Sequence, residues 1–134
     1  MNDKRTTPDS TTPISDAESR VMDILWQAAS PLAAEQIIAA LADTEQWQAV
    51  TVKTLLNRLL KKGAVSAQKD GRRFLYQAVL QRDAWLSSES ESLLERLFGG
   101  RIAPLVAHFG SRRKLSQADL AELRKLIDEL DDGK

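Results

Sequence analysis

The cleanest periodicity in the chain lies between Val50 and Gly63. Val52, Leu55, Leu56, Leu59 and Leu60 recur at i, i+3, i+4, i+7 and i+8, which draws one apolar stripe along a helix. Gly63 follows, where a left-handed residue closes such a helix. Upstream, Ile14, Ala17, Val21, Ile24, Leu25 and Ala28 also keep helical spacing, widened by Met22 and Trp26, and Ser15-Asp16-Ala17-Glu18 fits a capping box at their start. Ala29-Ser30-Pro31 ends this helix. A second helix, Ala34 to Ala42, buries Ile37, Ile38 and Leu41, although Ala33 is a poor cap for it. Trp47, in the polar connection Asp43 to Gln48, reads as a core plug, with base stacking as the alternative. After Gly63 the period changes to two. Ala64 to Lys69 and Arg72 to Val79 are strand-like, with Phe74, Tyr76 and Ala78 on one side. Asp70-Gly71 is the expected turn, with positive φ at both residues. Three helices and a hairpin make a winged helix-turn-helix.

The remaining pattern is helical. A long helix is expected from Gln81 to Phe98, with Trp85, Leu86, Leu93, Leu94, Leu97 and Phe98 as its apolar positions, broken by Gly99-Gly100. Ile102, Leu105, Val106 and Phe109 form a shorter stripe, with Pro104 tolerable in a first turn. Ser116-Gln117-Ala118-Asp119 opens a last helix, on which Leu120, Leu123, Leu126, Ile127 and Leu130 recur. This tail holds more apolar surface than so small a unit buries alone. It is therefore expected to dimerise through Leu93, Leu94, Leu97, Phe98, Leu105, Val106, Phe109, Leu123, Leu126, Ile127 and Leu130. The expected organisation is a disordered leader over 1–13, a winged-helix DNA-binding domain over 14–80 and a helical dimerisation domain over 81–134. The fold class is mainly α with a small β-hairpin.

Charge sharpens this picture. The 134 residues have a formal net charge of zero. Yet the stretch from Lys53 to Arg73 carries seven cations (Lys53, Arg58, Lys61, Lys62, Lys69, Arg72 and Arg73) against one anion, Asp70. Binding follows the local potential of a surface rather than the sum over a chain. The helical wheel sets Thr54 and Lys61 opposite the apolar stripe, with Val50 and Asn57 beside them and Lys53 and Arg58 on the flanks. Thr51 falls nearer the apolar edge and ranks last among the candidate DNA contacts of this helix. A major groove about 12 Å wide admits one helix. Thr54 and Asn57 are placed to reach base edges, and Val50 to meet a thymine methyl. Lys53, Lys61 and Lys62 suit phosphates, Arg58 suits a phosphate or a guanine, and Lys69, Arg72 and Arg73 suit a neighbouring backbone or minor groove. An acidic protein partner for the same basic face, as in a winged-helix adaptor, is the competing reading.

Other chemistry finds little footing. The chain has no cysteine and one histidine, His108, which excludes disulfides and a conventional His/Cys metal site. There is no Gly-rich phosphate loop and no Ser/His/Asp set. Glu18, Asp23 and the other helical carboxylates read as solvated faces. No enzyme, cofactor, metal or small-molecule ligand is expected. No apolar run approaches a membrane span, and the start of the chain lacks a secretory signal, so a cytoplasmic protein is expected.

These residues together resemble the BlaI/MecI/CopY family of penicillinase-type repressors. The resemblance is carried by Ile14-Ser15-Asp16-Ala17-Glu18 with Met22, Leu25 and Trp26, and by Trp47. It continues through Thr51-Val52-Lys53-Thr54-Leu55-Leu56-Asn57-Arg58-Leu59, Lys62-Gly63 and Tyr76. Leu97-Phe98-Gly99-Gly100 and Leu105-Val106-Ala107-His108-Phe109 complete it. The resemblance implies a homodimeric repressor of β-lactamase or resistance genes, binding dyad operators with TACA/TGTA-like half-sites. It also implies release by cleavage in the C-terminal part, signalled by a membrane sensor metalloprotease. Three departures stand out. The cysteine motif of the copper-responsive branch is absent. Gln48 replaces the usual Ser or Thr after the tryptophan. The Asn-Phe bond cut in some members is missing, which leaves Phe98, Gly99 and Gly100 as the candidate cleavage region, with a flexible Gly-Gly.

Overall fold

The computed structural model describes residues 13–133. The expected leader lies, apart from Pro13, outside them. In chain order the elements are α1 (Asp16–Gln27), β1 (Leu32–Ala33), α2 (Ala34–Thr44), α3 (Ala49–Lys62), β2 (Val65–Asp70), β3 (Arg73–Ala78), α4 (Arg82–Phe98), α5 (Ile102–Ser111) and α6 (Gln117–Asp132). One compact unit runs to Ser88 and a second begins at Glu89.

In the first unit the capping box forms as spelled. Ser15 Oγ accepts the Glu18 N–H at 3.0 Å, and the Glu18 carboxylate accepts the Ser15 N–H at 2.7 Å. α2 has no acceptor at Ala33, but Gln36 reaches back to the Ala33 N–H at 2.8 Å. α3 begins without a side-chain cap at Gln48 and ends at Gly63, whose φ is +80°. The stripe faces of the three helices meet in one core. Val21 and Met22 come from α1, Ile37 and Leu41 from α2, and Val52, Leu55, Leu56 and Leu59 from α3. Trp47 is half-buried against this core, as a plug requires.

The sheet differs from a bare hairpin. It has three antiparallel strands in the order β1-β3-β2, with Leu32 opposite Tyr76. β1 spans two residues, too short to leave a period in the pattern. The hairpin turn is also one residue later than expected. Asp70 pairs with Arg73, so Gly71 and Arg72 are its central residues. Only Gly71 has positive φ, +67°. That is a Gly-X turn, with glycine at the first central position, and Asp70 finishes the strand.

α4 starts within the first unit. Trp85 lies 5.3 Å, centroid to centroid, from Trp26, and the Trp26 indole N–H donates to the Leu80 carbonyl at 2.8 Å. These aromatic contacts carry the first unit past residue 80.

The second unit comprises the rest of α4, α5 and α6. Ser116 and Asp119 form a reciprocal cap on α6, at 3.0 and 3.3 Å. Gly99 and Gly100, with φ of +59° and +80°, join α4 to α5. They stop the helix, as the sequence pattern has it, and the Gly100 N–H donates to the Leu94 carbonyl at 2.8 Å. Among the described residues, no helix is long and apolar enough to cross a membrane.

Candidate nucleic-acid interface

α3 divides its side chains between two faces. Val52, Leu55, Leu56 and Leu59 are buried. Val50, Thr51, Lys53, Thr54, Asn57, Arg58 and Lys61 are all exposed. Thr51, set by the wheel near the apolar edge, is therefore open as well. Val50 keeps 65% of its surface, an unusual exposure in a helix whose other valine and whose leucines turn inward. Thr54 donates its hydroxyl to the Val50 carbonyl at 3.0 Å. That bond fixes the rotamer and leaves the oxygen lone pairs free to accept. A helix of 14 residues, about 21 Å long, thus presents short side chains along its middle and cations at its flanks and end.

The wing adds the second cationic element. Lys69 lies in β2, Arg72 in the turn and Arg73 at the start of β3, all exposed. The Asp70 carboxylate approaches Arg73 at 3.9 Å, both side chains being more than half exposed, so it holds Arg73 only loosely. Phe74 is directly across from Lys69. The alternation put Phe74 on one side with Tyr76 and Ala78, which are half-buried, while Phe74 remains 48% exposed. The core ends at Tyr76, and the strand runs on past it. An exposed aromatic ring thus stands opposite Lys69 on the wing.

One predicted phosphate contact is placed elsewhere. Lys62 donates to Glu18 Oε1 at 2.6 Å and to the Pro13 carbonyl at 2.9 Å. Glu18, read from sequence as part of a solvated face, is 2% exposed at its side chain. The helical spacing of α1 puts it on the margin of the apolar stripe, and the end of α3 covers it. Burial pushes the Glu18 carboxyl upward, but hydrogen bonds from Lys62 and the Ser15 N–H, together with the Lys62 charge, outweigh that and hold it below its ordinary value. A carboxyl lowered on folding stabilises the fold above its unfolded value, about 4.3, and loses that contribution as pH falls through its lower folded value. Thermal melts should therefore show Glu18→Gln less stable than the natural chain at neutral pH. The gap should narrow below about pH 4. A gap independent of pH would show that the ionised form contributes nothing.

In the second unit, none of the described residues is buried. Of the positions expected to dimerise, Leu93, Leu97, Phe109, Leu126, Ile127 and Leu130 are exposed, while Leu94, Phe98, Leu105, Val106 and Leu123 are half-buried. Leu93, Leu94, Ile102 and Leu105 line an apolar groove of about 350 Å³ edged by Glu89, Ser90 and Arg96. Phe98 lies 6.3 Å from the ring of His108, which is exposed.

A family model described as the penicillinase repressor matches residues 14–129. The penicillinase repressor of Bacillus licheniformis is 34% identical over 116 residues, covering 87% of this chain and 90% of that one. The methicillin resistance regulatory protein MecI of Staphylococcus aureus strain N315 is 30% identical over 116 residues, covering 87% of this chain and 94% of its own. Among solved structures, that of the Bacillus licheniformis BlaI monomeric form in complex with the blaP half-operator aligns with a TM-score of 0.48 at 36% identity, covering 55% of this chain and 89% of that one. Since the family model runs from the capped start of α1 almost to the end of α6, the chain belongs to the penicillinase repressor family.

Proposed function

We propose that this chain is a sequence-specific DNA-binding repressor that acts as a homodimer on a dyad operator and controls β-lactamase or other resistance-type genes. The observation that carries the reading is the exposed face of α3, where Val50, Thr54 and Asn57 stand between cations beside a basic wing. Family membership supports it, as does the role named for the MecI relative, methicillin resistance regulation. In this reading the unit ending at Ser88 meets DNA and the helices beyond it join two copies. Two recognition helices then enter successive major grooves about 34 Å apart. The protein is a binder rather than an enzyme and works with the chromosome in the cytoplasm.

Val50, Thr51, Thr54 and Asn57 meet bases, and Lys53, Arg58, Lys61, Lys69, Arg72 and Arg73 meet the backbone. Lys61→Ala should weaken binding to all duplexes alike and lower the slope of log K against log salt by about 0.9 for each phosphate no longer neutralised. Asn57→Ala should instead cost roughly 1–3 kcal/mol at one base position and leave the salt slope unchanged. Salt-titrated mobility shifts on a duplex enriched from random DNA, and on its scrambled version, read both quantities. Equal binding of the natural chain to the two duplexes would sink the reading, and identical behaviour of the two variants would sink the division of labour.

Repression ends, in this reading, by cleavage at Phe98, Gly99 or Gly100, through a membrane sensor protease. The two glycines are exposed at the α4–α5 turn. Intact-mass spectrometry of induced cells should find a fragment ending there, and a full-length chain after induction would remove this step.

A further inference from the structure

Residues scattered along the sequence meet at one carboxylate. Glu18 Oε1 accepts the Ser15 N–H at 2.7 Å and the Lys62 ammonium at 2.6 Å. The same ammonium donates to the Pro13 carbonyl at 2.9 Å. One oxygen thus closes the first turn of α1 and holds the last turn of α3. α1 and α3 also share one apolar core, to which Val21 and Met22 contribute from the first and Leu55 and Leu59 from the second. Apolar attraction is non-directional. It stabilises the pairing of two helices while tolerating small rotations and slides of one along the other. An ion pair with one buried partner resists them, because the Glu18 side chain is 2% exposed, against 31% for Lys62, and without that cation the carboxylate keeps only the Ser15 N–H.

We propose that Lys62 is a positioning residue for DNA binding: by fastening the end of α3 to Glu18, it sets the angle at which Val50, Thr54 and Asn57 meet base edges. Lys62 then contributes to specificity without touching DNA, although the cations just before it on α3, Arg58 and Lys61, are exposed. The inference rests on the DNA-binding reading above. Its consequence separates it from both a phosphate-binding role and a merely structural pair. Removing a phosphate-binding cation lowers the salt slope. A smaller folded fraction lowers binding to specific and random duplexes equally. A tilted helix lowers the specific-to-random ratio alone.

The test measures the full chain, Lys62→Met and Glu18→Gln on the enriched and the scrambled duplex across a salt series, well below each protein's melting temperature. Lys62→Met should lose about tenfold in the ratio of enriched to scrambled binding, the size of one well-aligned base contact, with an unchanged salt slope. Glu18→Gln, which keeps the side-chain shape, should move the ratio in the same direction and serves if Lys62→Met fails to fold. The double variant should lose little more than Lys62→Met. A lowered salt slope in Lys62→Met would overturn the proposal, because it would show the ammonium neutralising a phosphate. So would a ratio unchanged in both variants. A natural chain that binds neither duplex would instead overturn the DNA-binding reading, and this inference with it.

Discussion

Replacing Ile127 with Asp is expected to turn the protein into a monomer whose first unit still folds, and to weaken binding to a full dyad by about a hundredfold or more. Leu123, Leu126, Ile127 and Leu130 form one stripe on α6, and Ile127 and Leu130 keep 59% and 72% of their surface. An aspartate in the centre of that stripe costs nothing in a monomer but several kcal/mol if the stripe is covered by a second copy. The proposed dimer joins two DNA-binding units, so its second contact gains an avidity of about 10²–10⁴ from linkage alone. The monomer forgoes that factor on a dyad and keeps its full affinity for a half-site. Light scattering reads the mass, and mobility shifts on full and half duplexes read the affinities. A variant that remains dimeric would remove α6 from the interface, and a half-site affinity that falls in parallel would point to misfolding instead.

Leu59→Ala should have the largest effect on stability. Leu59 is fully buried on α3, in the core that α3 shares with α1 and α2. Truncating a buried leucine costs about 2.7–5 kcal/mol, through reduced transfer energy and the cavity left behind. For a unit of this size each kcal/mol shifts the melting temperature by about 4–8 °C, so a fall of at least about 10 °C is expected. Because the same helix carries the proposed reading face, DNA binding should disappear at temperatures where Asn57→Ala still binds. Asn57→Ala, on the exposed side of the helix, should melt within about 0.5 kcal/mol of the natural chain. Circular dichroism melts decide it: a shift below about 2 °C would mean that the site collapses to fill the space.

Local chemistry made much of this fold legible. The Ser15–Glu18 box, the α3 stripe and Gly63 each act within a few residues, so spelling and structure agree. The departures share one cause, which is that partners distant in the chain decide them. β1 exists because Leu32 and Ala33 find β3, and no run of two residues signals that. The turn sits at Gly71-Arg72 because cross-strand pairing from Val65 opposite Ala78 onward sets the register. The wheel located the exposed face of α3 correctly but could not see that Lys62 bends back to α1. Phe74 shares a strand face with Tyr76, yet the face outruns the core. On α4, Trp85 is held by Trp26, a pairing of positions that no local pattern connects.

In the proposed homodimer, the second unit, with no described residue fully buried, ties this protein's behaviour to its own abundance. When copies are scarce, the occupied fraction of a dyad grows with the square of chain concentration, because each occupant must first find its twin. Halving the supply then empties operators about fourfold rather than twofold. An incompletely covered tail therefore makes the response steeper: a modest fall in intact chains, by whatever route, opens the controlled genes out of proportion to that fall.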